Sequence, residues 1–247
     1  MKPFTRLGLL TFALTFSMLT QAADKLTLLT ENYPPFNMSI EDKNFARSSG
    51  IDGISADIVR EMMKRAKINY SMTLRSPWSR IYNMTRKKSN YGLFSTTLTE
   101  ERKPLFKWVG PLVENGWGVF KKDGSQIQIS SLEDLKKYKV GGYKGDASTE
   151  FVKSHGIKVI ETALDKYNAE KLESGRIDLW ISSRFTSSHI AETAGVPAPV
   201  AIHNLKNVDL YLALNLNTSD AIVKRLQAAL DSMKKDGKFD ELMNNYL

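Results

Sequence analysis

The sequence contains no cysteine and only three histidines in 247 residues. Without cysteine there is no disulfide framework and no thiol nucleophile, so stability has to come from packing. His155, His189 and His203 stand in no recognisable motif, and no His, Asp and Glu fall at metal-ligand spacing. Nothing in the sequence therefore calls for a metal or another cofactor. No Pro/Gly/Ser-rich linker, fixed-period repeat or low-complexity tract divides the chain. Long apolar runs are nearly as scarce, with a single one at the very start.

That run, "LGLLTFALTFSML", follows Lys2 and Arg6 and ends at "TQA", which places small Thr20 and Ala22 at positions −3 and −1 of a cut. A charged start, an apolar stretch and small residues at the cut describe a secretory signal peptide over residues 1–22. The run is shorter than the roughly 20 residues that span a bilayer. The expectation is export to the periplasm with cleavage after Ala22, and no cysteine stands at the cut to take a lipid. A mature chain starting at Ala23 is long enough to bury a real core, as one large domain or two smaller ones.

Charge of one sign does dominate. Lys and Arg number 35 against 27 Asp and Glu, a formal net charge of +8 that falls to +6 once Lys2 and Arg6 are removed. Yet the lysines come in scattered pairs, Lys121-Lys122, Lys136-Lys137 and Lys234-Lys235, interleaved with acids as on solvated helix faces. The densest cluster, "RKK" at 86–88, has no aromatic-rich RNA motif beside it, so nucleic acid is not an expected partner. A basic surface that steers anionic ligands fits better.

What is present is alternation. "KLTLLT" (25–30) reads as a strand and "ISADIVREMMKRA" (54–66) as an amphipathic helix with Ile54, Ile58, Val59 and Met62 on one face. "INYSMTL" (68–74) and "YGLFST" (91–96) read as strands around a helix at 78–87. A second series follows "GPLVENGWGVFKKDG": strands at 138–143, 157–161, 176–182 and 199–205, with helices from about Ala147, through Leu172, and from about Thr186 to Ala194. A strand at 210–215 and two helices, the first ended by Gly237 and the second over about 238–246, close the chain. This pattern predicts an α/β fold with largely parallel sheets, whose ligands sit beyond the carboxyl ends of the strands. Tyr33, Trp78 and the stretch "TTLTEERK" (96–103) all fall there. Within that stretch Thr97 and Glu100 fit a capping box for a one-turn helix that Pro104 stops, leaving Arg102 projecting. In "GGYKGDAST" (141–149) glycines permit tight turns, and the amides of Ala147 and Ser148 stand at a helix start suited to an anion. Its spacing is neither a dinucleotide fingerprint nor a P-loop.

The order "ENYPPF", "GISADIVREM", "STTLTEERKPLFKWVGPL", "VGGYKGDAST", "SGRIDLWISS" and a terminal "MKKDGKFDELMNNYL" resembles the family-3 periplasmic solute-binding proteins across nearly the whole mature chain. The resemblance implies a two-lobed periplasmic binding protein-like fold of type II, with two crossover strands as hinge. Lobe one would be 23–113 plus 209–247, and lobe two 114–208. It implies a monomeric receptor that encloses a small solute and hands it to the membrane permease of an ABC importer. The matching arginine, Arg102, would grip the solute's carboxylate in a two-pronged charge-assisted bond. Ser95 and Thr97 match positions that supply hydroxyl or backbone contacts, and Tyr33 and Trp78 match aromatics laid over the ligand. Typical relatives carry a hydroxyl residue where this chain has Asp146 or Ala147. Arg80 points either into the cleft or outward.

One departure matters. Amino-acid binders of this type place an aspartate about five residues after the acid of "GRID", to hold the α-ammonium. Counting from Asp178 gives Ser183, with Arg184 beside it. An ammonium buried without a counter-charge is costly. Either another acid such as Glu31 or Asp146 substitutes, or the ligand is a carboxylate that is not a standard α-amino acid. Two other functions stay open on this scaffold: a dehydratase acting on prephenate-like acids, with Asp146 or Glu31 as its buried acid, and an orphan receptor feeding a sensor.

Overall fold

The structure, a computed structural model, describes residues 25–41 and 43–246; the expected signal peptide at 1–22 lies outside them. Its first strand, β1 (Leu26–Thr30), pairs in parallel on both sides, and its near-continuous apolar run suits a strand covered on both faces. Three short strands follow, β2 (Met38–Ser39), β3 (Phe45–Arg47) and β4 (Ile51–Asp52). Helix α1 (Ile54–Arg65) buries Ile54, Ile58, Val59, Met62 and Met63 as one stripe. Gly53 starts it with a φ of 118°, and a Cβ there would stand 2.6 Å from the Phe36 carbonyl oxygen, so only glycine fits. Then come β5 (Tyr70–Arg75), α2 (Trp78–Lys87), β6 (Tyr91–Thr97) and the 15-residue β7 (Lys107–Lys121).

The second series opens with a 3₁₀ turn at Leu132–Lys137, whose start is closed by a reciprocal Ser131–Asp134 capping box. It continues with β8 (Val140–Tyr143), α3 (Ala147–Ser154), β9 (Val159–Thr162), α4 (Lys166–Glu173), β10 (Leu179–Ser183) and α5 (Ser187–Thr193). The chain returns along β11 (Val200–Leu214) and ends in α6 (Asp220–Lys235) and α7 (Lys238–Asn244). No helix among the described residues is long and apolar enough to cross a membrane.

Nine strands form one sheet in the order β3-β5-β1-β6-β11-β7-β10-β8-β9. Two features differ from the sequence reading. The segments 199–205 and 210–215 are one continuous strand, because the whole of β11 is zipped antiparallel to β7 from Val200↔Lys121 to Leu214↔Lys107. The sheet is also mixed: the parallel groups β5-β1-β6 and β10-β8-β9 flank the antiparallel run β6-β11-β7-β10, and the edge strand β3 is antiparallel to β5. A crossover helix gives a parallel neighbour, whereas a chain crossing over and returning gives an antiparallel one.

Apolar side chains gather separately at the two ends. Leu28, Met62, Phe94, Leu212 and Leu226 belong to the core around β1, onto which α1 and α6 pack. Val140, Val152 and Ile181 lie in one cluster of the other end, and Trp180, Leu172 and Ala191 in another. Between the ends the middle of the β7–β11 ribbon is polar, with Glu114↔Asp209 and Gly116↔Asn207 opposite each other. All the parallel strands direct their carboxyl ends toward the space between the two cores. Truncation of Leu226, which is fully buried on α6, to alanine is expected to cost about 2–5 kcal/mol in urea unfolding. Truncating its exposed neighbour Lys224 is expected to change stability by no more than about 0.5 kcal/mol.

Candidate functional site

The space between the cores is lined by the segments that leave these strands. Glu31 follows β1, Ser76 and Trp78 follow β5, Ser95 and Thr97 end β6, Tyr143 to Asp146 leave β8, and Asp165 lies past β9. Two cavities result, both lined in part by Glu31. The smaller, about 20 Å³, is lined by Tyr33, Asn37, Trp78, Ser95, Thr97, Arg102 and Asp146 among others. The larger, about 620 Å³, is lined by Glu31, Ser39, Asn44, Tyr143, Asp165 and Lys166, with the exposed Ile40 and the α5 residues His189 and Glu192 at its edges.

Six of the nine residues singled out from sequence thus meet in the smaller cavity. Ala147, Ser148 and Ser183 are buried beside it but line neither cavity. Arg80 is exposed and also lines neither. The helix start at α3 is already occupied: Asp146 is its N-cap and accepts from the Ser148 amide at 2.8 Å and from the Ser148 hydroxyl. Ser183 donates to Asn115 Oδ1 at 2.7 Å, while Asn115 Nδ2 donates to the Tyr33 hydroxyl at 2.9 Å. Asn115, on the crossover strand β7, therefore ties one wall of the cleft to the other.

Arg102 is mounted differently from the sequence expectation. Thr97 is still strand, paired with Leu210, and the turn that follows begins only at Arg102, five residues on, while exposed Glu100 only reaches Lys103 at 3.7 Å. The turn is held instead by Thr99, whose carbonyl accepts from the amides of Arg102 (3.1 Å) and Lys103 (2.8 Å). Pro104 does not stop a helix. It sits at the start of a 3₁₀ turn, Lys103–Leu105, where its missing N–H costs nothing. Arg102 itself is only 7 % exposed. Its guanidinium lies 5.7 Å from the Trp78 ring and 5.4 Å from Tyr82, and donates to the carbonyls of Thr97 (3.3 Å) and Gly145 (3.0 Å). No carboxylate among the described residues lies within ion-pair distance of it. Burial accordingly pushes its pKa down, with Asp146 opposing from farther away.

Ser95 is set by a local irregularity. The β6–β11 register shifts between Tyr211 and Ala213, and Ser95 takes a left-handed backbone with φ of 59°. Its hydroxyl is thereby aimed at Asn37, whose amide in turn donates to the Glu31 carbonyl at 2.5 Å.

Sequence reasoning missed Tyr143, Asp165 and Asn115. Tyr143 reaches across the cleft: its hydroxyl donates to Glu31 Oε2 at 2.6 Å and accepts from the Trp78 amide at 2.8 Å. The Trp78 indole donates to the Gly145 carbonyl at 3.1 Å, a second bond between the walls. Burial raises the Glu31 carboxyl to about 8 despite the Tyr143 hydrogen bond, with Asp146 and Asp165 adding to the rise. Burial likewise raises Asp165 to about 7, although Asn168, Trp180 and Ser182 donate to it. The only sequence signal for Asp165 is an acid just before a helix, which is indistinguishable from an ordinary cap.

Two α/β bodies joined by a pair of long strands, with a charged cleft between them, define the periplasmic-binding-protein fold. The chain belongs to the bacterial extracellular solute-binding proteins, family 3, whose family model matches residues 26–247. It is 21 % identical to the L-cystine-binding protein TcyJ of Escherichia coli K12, over 93 % of this chain and 85 % of that one. It is 24 % identical to the putative ABC transporter arginine-binding protein 2 of the same organism, over 94 % of both. Among solved structures, an ancestral arginine-binding protein bound to arginine superimposes with a TM-score of 0.76 at 23 % identity, covering 91 % of this chain and 98 % of that one.

A carboxyl whose pKa is raised in the folded protein binds more protons there than in the unfolded chain, so the stability it contributes is greatest at low pH. That contribution is lost as pH rises from the ordinary carboxylate range through about 7 for Asp165 and about 8 for Glu31. Urea unfolding is expected to show stability falling between about pH 5 and pH 9, and falling less in the Glu31→Gln/Asp165→Asn variant.

Proposed function

We propose that the protein is the periplasmic receptor of an ABC importer, closing its two lobes around a small carboxylated solute, an amino acid or a related compound. The observation that carries this reading is Arg102, a buried guanidinium bonded, among the described residues, only to backbone carbonyls and flanked by two rings. A buried charge without a counter-ion is unfavourable, and a carboxylate reaching it satisfies both partners. Guanidinium geometry suits such a two-pronged contact. Tyr33 and Trp78 lie in the same cavity to cover the solute, and Ser95 and Thr97 offer it polar contacts. Asp146, with Ala147 and Ser148 behind it and Ser183 beside Tyr33, forms the facing wall.

In this reading the chain is exported, loses residues 1–22 after Ala22, and acts as a monomer. Lobe one is 23–113 plus 209–247 and lobe two is 114–208. Support comes from the separate apolar cores and from β7 and β11 as the strands that pass between them. Closure then works by bending at the polar middle of that ribbon. The curated relatives, named for cystine and arginine binding, make delivery to a permease the better reading than catalysis.

A second reading rests on one observation: Glu31 keeps its proton near neutrality beside the cavity, as a general acid requires. Incubation with prephenate, followed for loss of substrate, decides it; turnover abolished in Glu31→Gln supports a lyase, and unchanged substrate removes that reading.

For the receptor reading, a thermal-shift screen of amino acids, dicarboxylates and small peptides is expected to pick out carboxylated solutes. Arg102→Ala is expected to weaken the best of them by about 100-fold in calorimetry, since it deletes the partner of a buried charge. Unchanged affinity would show that the solute lies elsewhere.

A further inference from the structure

Four hydrogen bonds cross the cleft to a single turn. The chain leaves β8 at Tyr143 and passes through Lys144 and Gly145 into α3. The Asp146 amide closes the turn on the Tyr143 carbonyl at 3.1 Å, and Gly145 takes a left-handed φ of 76° at its third position. The Lys144 amide donates to the Thr162 carbonyl at 2.9 Å, and Asp146 caps α3, so the turn is fixed to its own wall at both ends. It is a stiff projection.

On the facing wall the turn meets the donors that a carboxylated solute would use. The Gly145 carbonyl oxygen accepts from Arg102 Nη2 at 3.0 Å and from the Trp78 indole at 3.1 Å. An oxygen held between a guanidinium and an indole N–H stands where one oxygen of a carboxylate would stand. Beside it the Tyr143 hydroxyl accepts from the Trp78 amide at 2.8 Å and donates to Glu31 at 2.6 Å. The cavity that Arg102 lines is left with about 20 Å³, room for about one water and for no solute. The turn and a solute therefore exclude each other from Arg102.

We propose that the Tyr143–Gly145 turn is a built-in pseudo-solute: in the empty protein it latches the two walls together by filling the place on Arg102, and a solute binds by displacing it. This rests on the receptor reading, since the place it fills is the solute's, and it adds a competitor to that reading. Every solute has to offset the same four bonds before its own contacts count, so the latch lowers all affinities by one common factor. The exchange is not neutral, however. A carboxylate replaces an uncharged carbonyl on Arg102 at a gain, because charge-assisted hydrogen bonds are the stronger ones. An uncharged solute only exchanges like for like. The latch thereby acts as a filter for carboxylates, set by a turn of the chain itself.

Pulsed spin-label distance measurement tests this, because a chain without cysteine takes labels only where cysteines are introduced. Labels at Asn83→Cys on α2 and Ser154→Cys on α3, both exposed, report how far apart the walls stand. The labelled protein, refolded from urea to strip any solute carried through purification, is expected to show mainly the short distance of the latched form. Tyr143→Phe keeps the ring and removes two of the four bonds. It is expected to raise the ratio of open to latched molecules about 25-fold, and Trp78→Phe, which removes the indole bond, about fivefold, at the usual worth of a hydrogen bond. A solute-free protein found mainly open overturns the latch, and so does a Tyr143→Phe variant with an unchanged distance distribution. The first of these measurements decides even where a variant does not fold. Either failure leaves the receptor reading standing, because that reading falls only if Arg102→Ala keeps its affinity for a carboxylated solute.

Discussion

The whole arrangement depends on two strands that run side by side through the middle of the sheet. β7 and β11 each belong to both ends of the molecule, and their antiparallel pairing over 15 residues apiece fixes how the two cores face each other. Because the parallel strands on either side all end toward the gap, this pairing converts two sets of strand ends into two walls of one cleft. At mid-length the ribbon is narrow and closely packed. Arg184 lies so tightly against Gly116 that a Cβ there would stand 2.2 Å from its guanidinium, which is bonded to Asn207 of β11 at 2.6 Å. The crossing is therefore laced by a side chain from the second lobe as well as by ladder bonds.

The cleft is also a place where the fold leaves charges incomplete. Elsewhere the surface pairs its charges locally, as in the i,i+3 bridges Lys136–Glu133 and Lys238–Glu241, whose exposure makes each worth little. In the cleft, Arg102 and Glu31 are buried and Asp165 is half-buried, and their partners are hydroxyls, N–H groups and carbonyls rather than opposite charges. Hydrogen bonds from Tyr143, Trp180 and Asn168 orient the acids, while burial holds their protons toward neutrality. Such a surface is poor for stability in isolation.

Much of this was legible in the sequence, and what was not has a physical reason. Periodicity located the helices, since an apolar stripe such as Ile54, Ile58, Val59 and Met62 depends only on local spacing. The aromatics and the arginine were legible because they follow strands. The capping box at Thr97 was misread because strand pairing is decided by distant residues: Leu210, far along the chain, keeps Thr97 in the sheet. The same non-local zipper fused 199–205 with 210–215. Asp165 and Tyr143 were hidden because their roles arise only when two walls meet, and within their own segments they read as a cap and a strand residue.

Ser95 joins two opposed structural demands at one position. Its left-handed backbone is one that most side chains avoid, at about 1–2 kcal/mol. Glycine would relieve that strain and lose the hydroxyl that holds Asn37. An easier backbone and a satisfied Asn37 therefore pull in opposite directions at this one position, and the serine keeps the second at the expense of the first.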